Sequence, residues 1–130
     1  KYPQIGDWCK ANPDKVLYGE IFGNVQKLKY GANKSDLFFA AFAVLDKLRW
    51  MDFDDVYGDV KSYKIDWVAV LYRGPFSEEI IKTYVDGNST WPNANHIREG
   101  CVVIPVRERM DDNIGRVALK LVSDAYLEKV

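Results

Sequence analysis

The apolar and polar positions alternate in short runs, and each run predicts an element. Over residues 16–23, Leu17, Gly19, Ile21 and Gly23 fall on one face of a strand, with Tyr18, Glu20 and Phe22 on the other. Residues 37–45 form the longest apolar run, which by periodicity alone fits a buried strand or a buried helix. Its aromatic content and the Asp46-Lys47 break favour a strand, and residues 49–51 read as a short return strand. Asp52 then predicts the N-cap of a helix to about Tyr57, with acids in its first turn. Residues 67–72 read as another strand, ended by Arg73-Gly74-Pro75. Ser77 predicts the N-cap of a helix to about Val85, which Asp86-Gly87-Asn88 stops. Residues 1–15, with Pro3, Gly6, Asn12 and Pro13, read as a lead-in loop in which Trp8 packs somewhere.

The stretch from Arg98 to Pro105 organises the second half of the chain. Val102, Val103 and Ile104 are β-branched and stiff, so they predict a strand. Three apolar residues without alternation suggest a strand covered on both faces, and Pro105 ends it. Residues 107–115 read as a charged hairpin loop. Residues 116–122 read as its returning strand, with Val117, Leu119 and Leu121 on one face and Lys120 on the other. Ser123-Asp124 caps a short final helix. About six strands, mostly hairpin-joined, and three short helices make an α+β domain with a mainly antiparallel sheet.

Length, charge and cysteines narrow the picture. A chain of 130 residues is one domain at most, and 48% hydrophobic content supports a packed core. A net charge of −1 gives no overall pull toward nucleic acid, so such contact needs a local patch. Residues 26–35 carry three lysines beside Tyr30 and form a candidate basic loop, or ordinary solvated surface. Cys9 and Cys101 lie far apart and read as free thiols of a reducing, cytoplasmic compartment. The sequence has no apolar run of membrane-spanning length, so no membrane partner is expected. The opening Lys1-Tyr2-Pro3-Gln4 has no signal-peptide character and suggests a processed or fragmentary start.

Two acids stand out chemically. Glu99 sits at the mouth of the 101–104 strand beside Gly100, where it either forms a rim salt bridge or serves a metal ion or hydroxyl. Glu20 lies mid-strand between two aromatics, where it either faces solvent or needs a partner or pocket. His96 is the only histidine, and alone it is a weak catalytic signal.

Gly-Glu-Ile-Phe-Gly at 19–23, the aromatic run at 38–45, Glu-Gly-Cys-Val-Val at 99–103 and Leu-Lys-Leu-Val-Ser at 119–123 follow one another in a fixed order. This series resembles the covalent nucleotidyltransferase superfamily of ligases and capping enzymes. It is most similar to RNA ligases of bacteriophages and some bacteria, over about residues 16–127. The resemblance implies that residues 16–130 are the later portion of an ATP-grasp-like nucleotidyltransferase, or adenylation, domain. It implies that Glu20 contacts the ribose of a bound nucleotide and that Phe42 stacks on adenine. It implies that Glu99 helps bind a divalent metal and that Lys120 grips the nucleotide phosphate. The expected cofactors are ATP, which leaves AMP on the protein, and Mg2+. The expected partner is RNA with 5′-phosphate and 3′-hydroxyl ends, joined in RNA repair. These roles suit the residues: carboxylates accept from ribose hydroxyls, rings stack on bases, and ammonium groups stabilise phosphoryl charge.

The sequence departs from that pattern twice. The reaction needs a nucleophilic lysine in a Lys-x-Asp-Gly-type motif, and none occurs here. Where the family often has an acid after the stacking aromatic, this chain has Ala43, which makes Phe39 a fallback for Phe42. The missing motif reads as truncation, and the chain alone is then expected to be inactive. The alternatives are a non-catalytic module that holds a nucleotide or RNA end, and a phage structural or interaction protein. A missing part would expose strand edges, so the chain is expected to self-associate. A sedimentation profile that stays monomeric at high concentration would count against that expectation.

Overall fold

The computed structural model describes residues 2–23, 28–33 and 36–129. They divide into two compact units, one of residues 1–21, 38–68 and 104–117, the other of residues 22–37, 69–103 and 118–130.

In the first unit, helices α1 (Pro3–Ala11) and α2 (Phe53–Ser62) accompany strands β1 (Lys15–Gly23), β2 (Leu37–Asp46) and β3 (Arg49–Trp50). The sheet order is β1-β2-β3, and β3 pairs antiparallel with β2 through Leu45–Trp50 and Asp46–Arg49. Helix α1 replaces the expected lead-in loop. Pro3 lies in its first turn, where a missing N–H costs no hydrogen bond, and Gly6 faces open space. Ile5 and Trp8, three residues apart, lie on one side and pack into the core. Asn12 closes the helix by donating from Nδ2 to the Trp8 carbonyl at 2.9 Å.

The core holds Trp8, Ala41, Val44, Val56, Val60, Ile65 and Trp67. Val56 and Val60 are one helical turn apart, which is why α2 runs on to Ser62, past the expected end at Tyr57. Asp52 does not cap α2 through its side chain. Its Oδ1 accepts instead from the Glu108 N–H at 2.7 Å. The 67–72 strand shrinks to a single parallel bridge between Trp67 and Ala41, held by Ala41 N–H to Asp66 O and Val68 N–H to Ala41 O. The loop expected at 107–115 carries a small hairpin of its own, β4 (Met110–Asp111) and β5 (Gly115–Arg116), so the returning strand expected from Arg116 begins only at Leu119.

In the second unit, helix α3 (Glu78–Val85) starts where Ser77 predicts it, with Ser77 Oγ accepting from Ile80 N–H at 3.4 Å. Strand β6 (Gly100–Val103) pairs antiparallel with β7 (Leu119–Val122), followed by α4 (Asp124–Lys129). Ser123 caps α4 as expected, its Oγ accepting from Tyr126 N–H at 3.0 Å. The expectation that the central strand is covered on both faces fails at Val102, which is 62% exposed. Residues 26, 27, 34 and 35 of the candidate basic loop lie outside the described residues. Phe22, Tyr30, Trp91 and His96 form an edge-to-face aromatic chain, and Tyr30 N–H donates to His96 Nε2 at 3.1 Å. His96 is thereby a structural contact of this loop pair.

The α+β class and the antiparallel pairing stand. Among the described residues, no helix is long and apolar enough to cross a membrane.

Trp8 is both the largest fully buried side chain and a hydrogen-bond donor, from Nε1 to Asp59 Oδ2 at 2.9 Å. Trp8→Ala is expected to cost about 3–5 kcal/mol of stability, the usual range for removing a large aromatic from a core. Trp8→Phe should cost clearly less. Urea denaturation of both variants checks the ranking.

Candidate functional site

Glu20 and Phe42 belong to the first unit. A Cβ added to Gly19 would lie 2.2 Å from Phe39 Cζ, so the Phe39 ring crosses β1 at a residue that has no side chain. Leu17 and Phe39 pack against the core. Alternation from Leu17 and Gly19 therefore puts Glu20 on the sheet face away from the core. Alternation from Phe39 and Ala41 puts Phe42 on that same face, where it is 41% exposed. Ala41 and Val44 both point into the core although three residues apart, so the alternation breaks between them. Phe42 sits at that break. Phe39, the fallback, is engaged in core packing and in a ring contact with Tyr2.

That outer face carries a further network. Tyr18 and Trp50 meet in a tilted ring contact with centroids 5.0 Å apart, and the Arg116 guanidinium lies 4.4 Å above Trp50. Arg116 Nε donates to Glu108 Oε1 at 2.5 Å, while Glu108 Oε2 is buried and has no hydrogen-bond partner among the described residues. This ties the hairpin to the sheet. Sequence reading gave no sign of it, because its members are scattered from residue 18 to residue 116.

Glu99 and Lys120 belong to the second unit. Lys120 is paired with Val102 across the ladder and is exposed. Paired residues of an antiparallel ladder share a face, so Lys120 lies with Val102 and Val122 on an open surface. Glu99 directly precedes β6, is half-buried, and its carbonyl accepts from Ser123 N–H at 2.8 Å. Strict alternation would send Glu99 to the face of Cys101, opposite Lys120. Gly100 interrupts that alternation with φ +152°, and a Cβ there would lie 2.0 Å from the Leu121 carbonyl oxygen. Only glycine fits this crossing.

The structure thus brings Glu20 and Phe42 to one sheet face, and places Glu99 just before β6 and Lys120 on its partner strand β7. Among the described residues, no group of three or more His, Cys, Asp or Glu forms a ready-made metal cage. A single Glu99 carboxylate still fits Mg2+ or Mn2+, which keep most of their waters and take one or two carboxylates beside nucleotide phosphates. Both cysteines are free, Cys9 exposed and Cys101 half-buried.

The antiparallel α+β fold matches that of a ligase of known structure. Residues 2–122 match the family model described as RNA ligase, and the chain belongs to that family. Among solved structures it is similar to a lysine-to-alanine variant of Naegleria gruberi RNA ligase with ATP and Mn. The identity is 25% and the TM-score 0.75, over 99% of this chain and 38% of that one. The chain therefore spans well under half the length of this relative. No curated protein matches it in sequence.

Burial pushes the Cys101 thiol above its ordinary range, and the Arg98 guanidinium offsets only part of that shift. Less thiolate at neutral pH means slower alkylation. Iodoacetamide labelling followed by peptide mass spectrometry should modify exposed Cys9 well before Cys101.

Proposed function

We propose that this chain is part of an ATP-dependent RNA ligase that seals a 5′-phosphate to a 3′-hydroxyl end. Its membership of the RNA ligase family over residues 2–122 carries the reading. In this scheme a lysine amine, supplied by polypeptide outside these 130 residues, attacks the α-phosphorus of ATP and displaces pyrophosphate. The resulting lysyl-AMP passes its AMP to the 5′-phosphate of RNA and frees the lysine. The 3′-hydroxyl then attacks that phosphate, the new phosphodiester forms, and AMP leaves.

Within this scheme Glu20 accepts hydrogen bonds from the ribose hydroxyls and Phe42 offers its exposed ring to adenine. Lys120 neutralises phosphate charge from the open face of β7. Glu99 holds a divalent ion, which when bound offsets charge on the nucleotide phosphates. The exposure of Phe42 supports its role, because a large aromatic left uncovered on a sheet face is available for stacking.

A second reading is a non-catalytic module that holds a nucleotide or an RNA end.

The complete reading frame, incubated with ATP and Mg2+, should gain the mass of one AMP. An intact, folded protein that gains none refutes the ligase reading. ATP stabilisation in a thermal-shift series without any adduct supports the module. In the same series Phe42→Ala and Lys120→Ala should each weaken the ATP response about tenfold, as expected for losing one stacking or charge-assisted contact worth about 1–2 kcal/mol. Unchanged responses in both would remove these residues from the site.

A further inference from the structure

Resting on the proposed metal role of Glu99, we propose that Arg98 is the positioning residue for the Glu99 carboxylate. Arg98 does not reach outward for a ligand. Its Nη1 donates to the carbonyls of Tyr84 at 2.5 Å and Asp86 at 3.2 Å, and its Nη2 donates to Asn88 O at 3.1 Å. Its backbone N–H donates to Gly87 O at 2.7 Å. One residue thus binds four carbonyls at the end of α3 and in the turn that follows, at positions 84, 86, 87 and 88.

The chemistry explains the choice of arginine. The last carbonyls of a helix lack intrahelical partners and carry partial negative charge. A planar fork with five donors meets several of them at once, whereas a lysine ammonium presents a point charge. Gly87 allows the turn itself, with φ +115°, a backbone conformation that residues with a side chain rarely adopt.

Glu99 is therefore fixed on both sides. Upstream, Arg98 anchors the backbone to α3. Downstream, the Glu99 carbonyl accepts from Ser123 N–H, and Gly100 is pressed against the Leu121 carbonyl. Side chains that hold a metal ligand in place commonly change metal affinity without touching the metal. Loosening the upstream anchor frees the Glu99 backbone on one side and lowers the share of molecules with its carboxylate in position.

The test is a double-variant cycle on Mn2+ binding, read by electron paramagnetic resonance with ATP present, on the full chain and below its unfolding temperature. Glu99→Gln and Arg98→Ala are each expected to weaken Mn2+ binding by several-fold or more. Arg98→Lys, lacking the fork, should behave as Arg98→Ala. The double variant Arg98→Ala with Glu99→Gln should bind no more weakly than Glu99→Gln alone, because one residue acts through the other. If Arg98→Ala does not fold, Arg98→Gln, which keeps a donor amide, takes its place in the cycle.

Three results are adverse. Arg98 variants that lose thermal stability but bind Mn2+ as the parent does overturn the proposal. Losses that multiply in the double variant overturn it too, since Arg98 would then act independently of Glu99. Glu99→Gln binding Mn2+ as tightly as the parent overturns the metal reading of Glu99 itself, and is recognised without any Arg98 variant.

Discussion

The close crossing of Gly100 and the Leu121 carbonyl governs the second unit. With the crossing that tight, any side chain at position 100 would drive β6 from β7. The ladder that results pairs Lys120 with Val102 and lets Ser123 bond to Glu99. Ser123 is buried and used twice, its N–H on Glu99 and its Oγ on the first turn of α4. One glycine thus sets the register, the register sets the lysine, and the serine passes the constraint on to a helix start. A polar side chain buried this deeply is stable because its bonds are made.

The first unit is governed by its core. Two helices, α1 and α2, each place residues one turn apart against Ala41 and Val44 of β2. The opposite face is freed for Glu20 and Phe42. Asp52 shows how tertiary structure overrides local preference. An aspartate before a helix ordinarily caps it. Here the carboxylate is drawn to the Glu108 N–H, where the segment before the hairpin needs an acceptor. The neighbouring Arg116–Glu108 pair, covered by Trp50, holds the hairpin from its other strand.

Much of the fold was legible because its signals are local. β1, β2 and the helix after Ser77 follow from alternation, apolar runs and capping chemistry, and the structure has all three. The cap at Ser123 follows for the same reason. What was illegible depends on distant partners. α1 was hidden because Pro3 and Gly6 are breakers in most contexts and harmless only at a helix start and on an open side. Residues 67–72 have strand composition, but only Trp67 finds a ladder partner among the described residues. Val102 has a core-like sequence and an exposed position. For the site, the order of Glu20, Phe42, Glu99 and Lys120 along the chain pointed to the family that the comparison shows. Arg98 gave no signal, because its partners are backbone carbonyls and carry no sequence code.

Helix α1 has a practical consequence for anyone handling the polypeptide. The indole of Trp8 sits in the core of the first unit, yet it is delivered by the first dozen residues of the chain. A protease nick or a cloning boundary placed after Pro13 would withdraw that side chain. It would leave an indole-sized hole beneath Ala41, although every proposed ligand contact had been retained.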